Sequence, residues 1–160
     1  MKWTYHLQVD APIDAICQVG FAPDRWFTFF KAYRGLESVA PNWLDPGSSI
    51  VFRFAVIGPW TVRVKQTVVE HERGRRLRIH EEALSGLWID DVEFSFQPED
   101  GVTAVKITGN QTSRLLPARL LILLMYPLNW LSTPRAMKRF KAIVESNRGI
   151  SPLQGSRHDS

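Results

Sequence analysis

The chain has 160 residues and a mass of 18.3 kDa, which is the size of one domain with a single hydrophobic core. Apolar residues make up 44% and charged residues 22%, a composition that excludes a disordered chain, a collagen-like repeat and a disulfide-stabilised scaffold. The net charge of +4 permits contact with an acidic membrane surface and does not demonstrate it. The one cysteine, Cys17, cannot form an intramolecular disulfide, and the first residues lack the apolar run of a signal peptide. A cytoplasmic location is therefore expected.

The first third of the chain predicts one strand, two short helices and a loop. Apolar and polar residues alternate over residues 3–9, as in a half-buried strand. Asp10-Ala11-Pro12 then begins a helix that ends near Gly20, and Ala22-Pro23-Asp24 begins a second short helix. Residues 34–48 predict a loop.

The middle of the chain predicts a run of strands joined by short turn sequences. These strands are residues 50–57, 60–71, 76–82, 87–97 and 103–112. Links this short join antiparallel neighbours as hairpins. Residues 117–147 then predict either two helices or one helix kinked at Ser132-Thr133-Pro134. Residues 1–148 are expected to form a single domain, followed by a flexible polar tail over 149–160.

This order of elements resembles the START-like helix-grip superfamily, also called SRPBCC, which includes polyketide cyclases/dehydratases, StAR-related lipid-transfer domains and birch-pollen-allergen-like proteins. The resemblance covers residues 3–147. Its specific segments are Ala11-Pro12-Ile13-Asp14-Ala15, the Pro46-Gly47 turn, Val68-Val69-Glu70-His71-Glu72 and Phe140-Lys141-Ala142-Ile143-Val144-Glu145. The resemblance implies an α+β fold in which a curved antiparallel sheet of about six strands wraps around a long C-terminal helix, with an apolar tunnel between them. None of these segments is a catalytic motif, and a fold alone does not imply a function.

Strand alternation predicts which side chains line that tunnel. The inward face is apolar apart from a polar cluster around Trp88, formed by Gln66, Glu81, Asp90 and Gln111. The hairpin turns predict that Trp88 lies between Glu81 and Gln111, and that Asp90 lies between Ile79 and Gly109. The side chains expected to contact a ligand are Phe52, Phe54, Trp60, Val62, Gln66, Glu81, Trp88, Asp90, Phe94 and Gln111.

The two carboxylates of the cluster have two interpretations. A carboxyl group beside Trp88 in an apolar pocket would have a raised pKa, as a general acid or base requires, which makes Asp90 and Glu81 candidate catalytic residues. Alternatively, both lie near strand ends and meet solvent at the mouth of the tunnel. We favour exposure at the mouth of the tunnel over a catalytic role for the two carboxylates. We nevertheless expect the cluster to contact a bound ligand.

The segment 115–131 is strongly apolar, but it is short and interrupted by Pro117, Arg119, Pro127 and Asn129, so it does not predict a transmembrane helix. We favour the interpretation that this segment belongs to the C-terminal helix around which the sheet wraps. It would then be apolar on all sides because the sheet and the tunnel surround it. The alternative is an exposed apolar surface at a peripheral membrane contact or between two copies of the chain. Its basic neighbours, which would meet acidic lipid, are Arg114, Arg119, Arg135, Lys138 and Arg139.

Other chemistries find no support in the sequence. The four histidines are dispersed, so no metal site or cofactor is expected, and there is no glycine-rich phosphate loop. The arginines of residues 73–78 predict a solvated strand face and not a nucleic-acid site. The leading hypothesis is a protein that binds a lipid, isoprenoid, quinone or polyketide-like molecule. The alternatives are an enzyme of the polyketide cyclase/dehydratase type and a membrane-peripheral lipid-transfer protein; whether the protein is an enzyme, and its oligomeric state, stay open.

Overall fold

The computed structural model describes residues 1–113 and 115–147, so the predicted tail at 149–160 and the basic residue Arg114 lie outside the described residues. The strands are β1 (Lys2–Val9), β2 (Tyr33–Val39), β3 (Ser49–Ile57), β4 (Trp60–Glu72), β5 (Arg76–Ala83), β6 (Ile89–Glu99) and β7 (Val102–Thr112). The helices are α1 (Ile13–Gly20), a 3₁₀ helix (Pro23–Thr28) and α2 (Leu116–Ser146). The predicted α+β helix-grip architecture is confirmed.

The seven strands form one antiparallel sheet in the order β1-β7-β6-β5-β4-β3-β2. From β2 to β7 each strand pairs with the next strand along the chain, which confirms the predicted hairpins. β1 pairs with β7, so the first and last strands of the sequence lie side by side. This long-range pairing brings residues of β1 close to the inner face of β6 and β7.

The prediction of a loop over residues 34–48 is wrong for its first part, where β2 forms an edge strand on β3. The register shifts between Tyr33 and Gly35 and again between Leu36 and Ser38. Each bulge interrupts the period of two on which strand prediction depends. Most side chains of β2 are also exposed, so no apolar face marks the strand in the sequence.

Two clusters of buried side chains pack against the inner face of the sheet. The first cluster joins β1, α1, β7 and the C-terminal half of α2, with Val9, Ile16, Val19, Val105, Ile107, Met137, Phe140 and Val144 at its centre. The second cluster joins the inner faces of β3, β4 and β5 to residues of β2 and of the segment between β2 and β3. Its central residues are Tyr33, Trp43, Ile50, Phe52, Val62, Val64, Val68, Leu77 and Ile79. Phe94 of β6 packs against both clusters. The first cluster holds the C-terminal half of α2 against β1, β7 and α1.

The C-terminal segment is one helix, and its first turns are not buried all round as expected. Leu116, Leu120 and Leu124 are exposed, whereas Ala118 is buried. The reason is that α2 packs mainly against α1 and β1, through its C-terminal half. Its first turns therefore contact the protein on one side only. Within the described residues, no helix is both long enough and apolar enough to cross a membrane.

Candidate functional site

Four polar side chains form one continuous row across the inner face of the sheet. Gln66 of β4 pairs with Glu81 of β5, Glu81 pairs with Asp90 of β6, and Asp90 pairs with Gln111 of β7. Directly opposite residues of antiparallel strands have Cβ atoms about 4.5–5.5 Å apart, so each side chain of the row lies beside the next. We call these four residues the polar row.

The predicted neighbours within the cluster are wrong by two residues. Glu81 lies opposite Asp90 and not Trp88, and Asp90 lies opposite Gln111 and not Gly109. The loop between β5 and β6 closes with the Ala83 N–H donating to the Trp88 carbonyl, so Trp88 precedes β6. A shift of two residues leaves every side chain on the same face, which is why the four polar residues still come together.

The β6–β7 turn explains the second of these shifts, which places Asp90 opposite Gln111. Glu99 pairs with Val102, so the turn consists of Asp100 and Gly101 alone. Both residues have positive φ, 40° and 86°, as the tightest hairpin turns require. The strands therefore extend further toward the turn than the sequence pattern indicated.

Glu81 is held by two donors, one on each carboxylate oxygen. The Gln66 amide donates to Oε2 at 2.6 Å, and the Trp88 indole donates to Oε1 at 3.0 Å. The Trp88 ring also stands edge to face with Phe54, with a centroid distance of 6.1 Å. Glu81 is therefore fixed in position by neighbours on β4 and in the β5–β6 loop.

Asp90 is the most deeply buried member of the polar row, at 6% exposure. Its Oδ2 accepts a hydrogen bond of 3.1 Å from the Trp3 indole. Its Oδ1 is buried and has no partner, and the same is true of Oε1 of Gln66. Buried acceptors without a donor are uncommon in folded proteins and mark positions that a ligand can complete.

Trp3 belongs to this site although the sequence analysis did not assign it there. It pairs with Gly109, and a Cβ atom at position 109 would lie 2.1 Å from the Trp3 ring. The absence of a side chain on β7 thus lets the indole cross that strand and reach Asp90. A glycine in the interior of a strand often marks such a close approach, and this was the signal available in the sequence.

Burial, and after it the neighbouring Glu81 carboxylate, raises the pKa of Asp90 from 3.8 to about 7. The Trp3 hydrogen bond and the nearby backbone N–H of Asn110 lower it in part, and Asp91 raises it. Asp90 therefore changes its protonation state near neutral pH. It can donate a hydrogen bond when protonated and accept one, or a proton, when ionised.

The apolar residues predicted to contact a ligand occupy different environments. Phe52 and Val62 are buried in the second core cluster, while Phe54 and Phe94 are half-buried beside it. Trp60, the first residue of β4, is 46% exposed at the β3–β4 turn. The neighbouring strand β3 has a register shift between Ala55 and Ile57.

Two pockets open on other parts of the surface. The first, of about 310 Å³, is lined by Lys2, Trp3, Thr4, Val69, Arg78, Ile79, Asp91, Val92, Glu93, Thr108, Gly109 and Asn110. The charged and polar residues of this lining alternate along their strands with residues that face the core. Their side chains therefore point outward, and the pocket lies on the outer face of the sheet. The second, of about 520 Å³, is lined by Asp24, Phe27, Tyr33, Arg34, Gly35 and Leu36. Neither pocket includes a member of the polar row.

No family model matches the sequence, and no curated protein matches it. Solved structures match over most of its length. The Zhui aromatase/cyclase from Streptomyces sp. R1128 is 10% identical with a TM-score of 0.73, over 92% of this chain and 94% of that one. Ara h 8.0201 is 14% identical with a TM-score of 0.67, over 92% and 99%. TTHA0849 from Thermus thermophilus is 19% identical with a TM-score of 0.68, over 91% and 98%.

At identities this low, the likeness is one of fold. The alignments span 91–92% of this chain and 94–99% of those chains, so the fold matches over most of the length of each. The family resemblance drawn from the sequence is confirmed at this level.

Proposed function

Since this chain has the helix-grip fold of the START-like superfamily, we propose that it binds a hydrophobic small molecule between the inner face of the sheet and α2, with the polar end of the molecule at the polar row. The observation that carries this proposal is the pair of unpaired buried acceptors, Oδ1 of Asp90 and Oε1 of Gln66. A buried acceptor without a donor costs about 1–3 kcal/mol. A hydroxyl group of a ligand would recover that free energy.

The surroundings of the polar row indicate an apolar ligand body. The next row of the sheet toward the core consists of Val68, Ile79 and Val92. The half-buried rings of Phe54 and Phe94 stand on the same face. Apolar burial at about 25 cal/mol per Å² would supply the affinity, and one or two hydrogen bonds would set the orientation. A lipid, isoprenoid, quinone or polyketide-like molecule has this combination.

Acid/base catalysis on that ligand is the second candidate function. It is favoured by Asp90, a buried carboxyl group with a pKa of about 7 directly opposite a second carboxylate. In this role ionised Asp90 would take a proton from a carbon next to a ligand carbonyl. The protonated carboxyl would then return that proton to a hydroxyl group that leaves as water. One of the structural neighbours is an aromatase/cyclase, which supports this candidate.

The test of ligand binding begins with native mass spectrometry of the purified protein and organic extraction of what it carries. A long-chain fatty alcohol, a fatty acid, a quinone and an anthraquinone are then titrated against tryptophan fluorescence, to which Trp88 and Trp3 contribute. We expect one class to bind with one molecule per chain. Failure of all four classes, with nothing extracted, would overturn the proposal.

A matched pair of variants tests the role of the polar row. Asp90→Asn keeps an acceptor for the Trp3 indole and replaces the unpaired oxygen with an amide N–H₂. We expect it to weaken a hydroxyl-bearing ligand about tenfold, the effect of one lost hydrogen bond. Asp91→Asn is the control, because Asp91 is exposed and pairs with His80 on the outer face. Equal ligand affinity in the two variants would show that Asp90 does not contact the ligand.

The same Asp90→Asn variant separates a binding protein from an enzyme. With a bound ligand that carries a hydroxyl group next to an activated carbon, loss of water is followed by mass spectrometry. An enzyme would form product in the wild type and lose turnover in Asp90→Asn. A binding protein would return the ligand unchanged from both.

A further inference from the structure

The exposed apolar side chains of this protein collect around one end of the sheet. That end contains the β3–β4 turn, the β5–β6 loop and the start of α2. Eight of the twelve exposed large apolar side chains in the described part of the chain lie there or on the first turns of α2: Ile57, Trp60, Leu84, Leu115, Leu116, Leu120, Leu123 and Leu124. We call these eight side chains the apolar rim. A surface of this kind marks an interaction site.

The rim is continuous between the β5–β6 loop and α2. Leu115 packs against Gly86, where an added Cβ would lie 3.5 Å from its Cδ1. The Ser113 hydroxyl donates to the Gly86 carbonyl at 3.3 Å. These contacts place Leu115 and Leu116 beside the loop that carries Leu84. The rim thus joins a sheet end and a helix into one surface.

The charge of the segment that contains α2 indicates the kind of partner. Residues 101–144 contain seven Lys and Arg and no Asp or Glu, whereas the remaining residues contain 13 Lys and Arg and 16 Asp and Glu. The segment that supplies most of the rim is therefore strongly basic. A second copy of the chain would bring the same positive charge to the interface and be repelled, whereas an anionic bilayer would attract it.

The helical repeat sets the basic residues on the same face as the leucines. Lys138 follows Leu120 by 18 residues, and Lys141 follows Leu123 by the same number, which is five turns at about 3.6 residues per turn. One face of α2 is thus apolar in its first turns and basic in its last. Lysines and arginines beside an apolar surface are attracted to anionic headgroups, so they would favour contact of this face with an anionic bilayer.

We propose that the apolar rim docks on an anionic lipid bilayer, with the basic residues of α2 in contact with the headgroups. The inference deepens the proposed function and rests on it, since the polar row lies just inside this end of the sheet. Glu81 stands two residues before the end of β5, and Asp90 is the second residue of β6. A ligand released from the bilayer would enter past Leu84 and Leu115 and meet the polar row next.

Co-sedimentation with vesicles tests the docking directly. Vesicles of phosphatidylcholine with phosphatidylserine are compared with phosphatidylcholine alone, at low and at high salt. We expect binding to the anionic vesicles to be at least about tenfold stronger and to fall as salt is raised. Absence of binding, or equal binding to both kinds of vesicle, would overturn the proposal.

Two sets of variants assign the binding to the rim. The double variant Leu120→Asp/Leu124→Asp changes exposed positions, so we expect it to fold as the wild type does by circular dichroism and to lose binding about tenfold or more. Lys138→Glu/Lys141→Glu should weaken binding and reduce its salt dependence. Val39→Asp is the control, because Val39 is exposed beside the start of β3, away from the β3–β4 turn, and lies outside the rim. Loss of binding in the control as well would contradict the assignment.

Two further readouts distinguish the possible failures. Sedimentation velocity measures whether the rim variant changes the oligomeric state. If the wild type is a dimer and the variant a monomer, the rim binds a second copy of the chain and not a bilayer, and the proposal is overturned. Ligand titration without vesicles tests the polar row by itself. A wild type that binds ligand and ignores vesicles refutes the docking alone, and one that binds vesicles and no ligand refutes the proposed function.

Discussion

Trp3 occupies the space that a side chain at position 109 would need. A Cβ atom on Gly109 would lie 2.1 Å from the indole, and the ring that lies there donates a hydrogen bond to Asp90 at 3.1 Å. The strand between Trp3 and Asp90 is therefore crossed at its one position without a side chain. An edge strand thereby supplies a donor to a carboxyl group two strands away.

The variant Gly109→Ala tests this relationship. The methyl group would displace the indole, and overpacking of this kind costs roughly 1–3 kcal/mol of the free energy of unfolding. Because the Trp3 hydrogen bond lowers the pKa of Asp90, its loss should raise that pKa above about 7. Urea unfolding measures the first effect and a carboxyl NMR titration the second.

Thr108→Ala is the control for the position-109 variant, because Thr108 lies next in the strand on the outer face. We expect it to change stability by less than about 0.5 kcal/mol. If Gly109→Ala were as stable as the wild type, the close approach of Trp3 would not exist as described.

The variant Asp90→Asn tests the buried carboxyl group through the pH dependence of stability. The pKa of Asp90 is about 7 in the folded protein against an ordinary value of 3.8, so the folded state binds more protons between these pH values. The contribution of Asp90 to the free energy of unfolding is therefore fully present below pH 4, falls as pH rises toward 7, and is lost above it. A shift of this size corresponds to on the order of 4 kcal/mol.

Asparagine does not titrate, so the variant should match the wild type near pH 4 and exceed it by a few kcal/mol at pH 8. Urea unfolding of both proteins across this range measures the difference. Asp91→Asn provides the baseline for removing a carboxylate that is exposed. Parallel stability curves for Asp90→Asn and the wild type would show that Asp90 is ionised throughout.

The thiol of Cys17 should react slowly with alkylating reagents. Burial, and to a smaller extent the Asp14 carboxylate, raises its pKa from 9.0 to about 11, and Arg73 opposes this shift. Because the thiolate is the nucleophile, the reactive fraction at pH 8 is about 100-fold smaller than for a thiol at the ordinary pKa. Iodoacetamide labelling followed by mass spectrometry should show this ratio between the folded and the urea-unfolded protein. Similar rates in the two states would mean that the thiol is exposed in the folded protein.

Much of the fold followed from periodicity and turn residues. The alternation in β3 to β7 predicted the strands and the face of each side chain, because burial on one side of a sheet imposes a period of two. Periodicity says nothing about pairing, since a shift of two residues preserves the faces. The polar row was therefore predicted as a cluster around Trp88, whereas the direct contact of Glu81 with Asp90 depended on the observed register.

The parts that the sequence did not predict have physical reasons of their own. β2 has register shifts between Tyr33 and Gly35 and between Leu36 and Ser38, and few buried side chains, so neither alternation nor an apolar face marks it. The role of Trp3 depends on the pairing of β1 with β7, which no local pattern specifies. The exposure of Leu116 and Leu120 depends on how far α2 extends beyond its contacts with α1 and β1.

The pairing of β1 with β7 also sets an order of events in folding. β1 is the first strand to be synthesised and β7 is the last, and the Met1 amino group reaches the Gln111 carbonyl at the far end of the pair. Pairing over such a separation is slow, because closing a long loop costs entropy before any contact compensates it. During synthesis, the apolar side of β1 cannot be covered by β7 until β7 has left the ribosome. Trp3 reaches Asp90 only when β1 has paired with β7, so we expect this hydrogen bond to form late in folding.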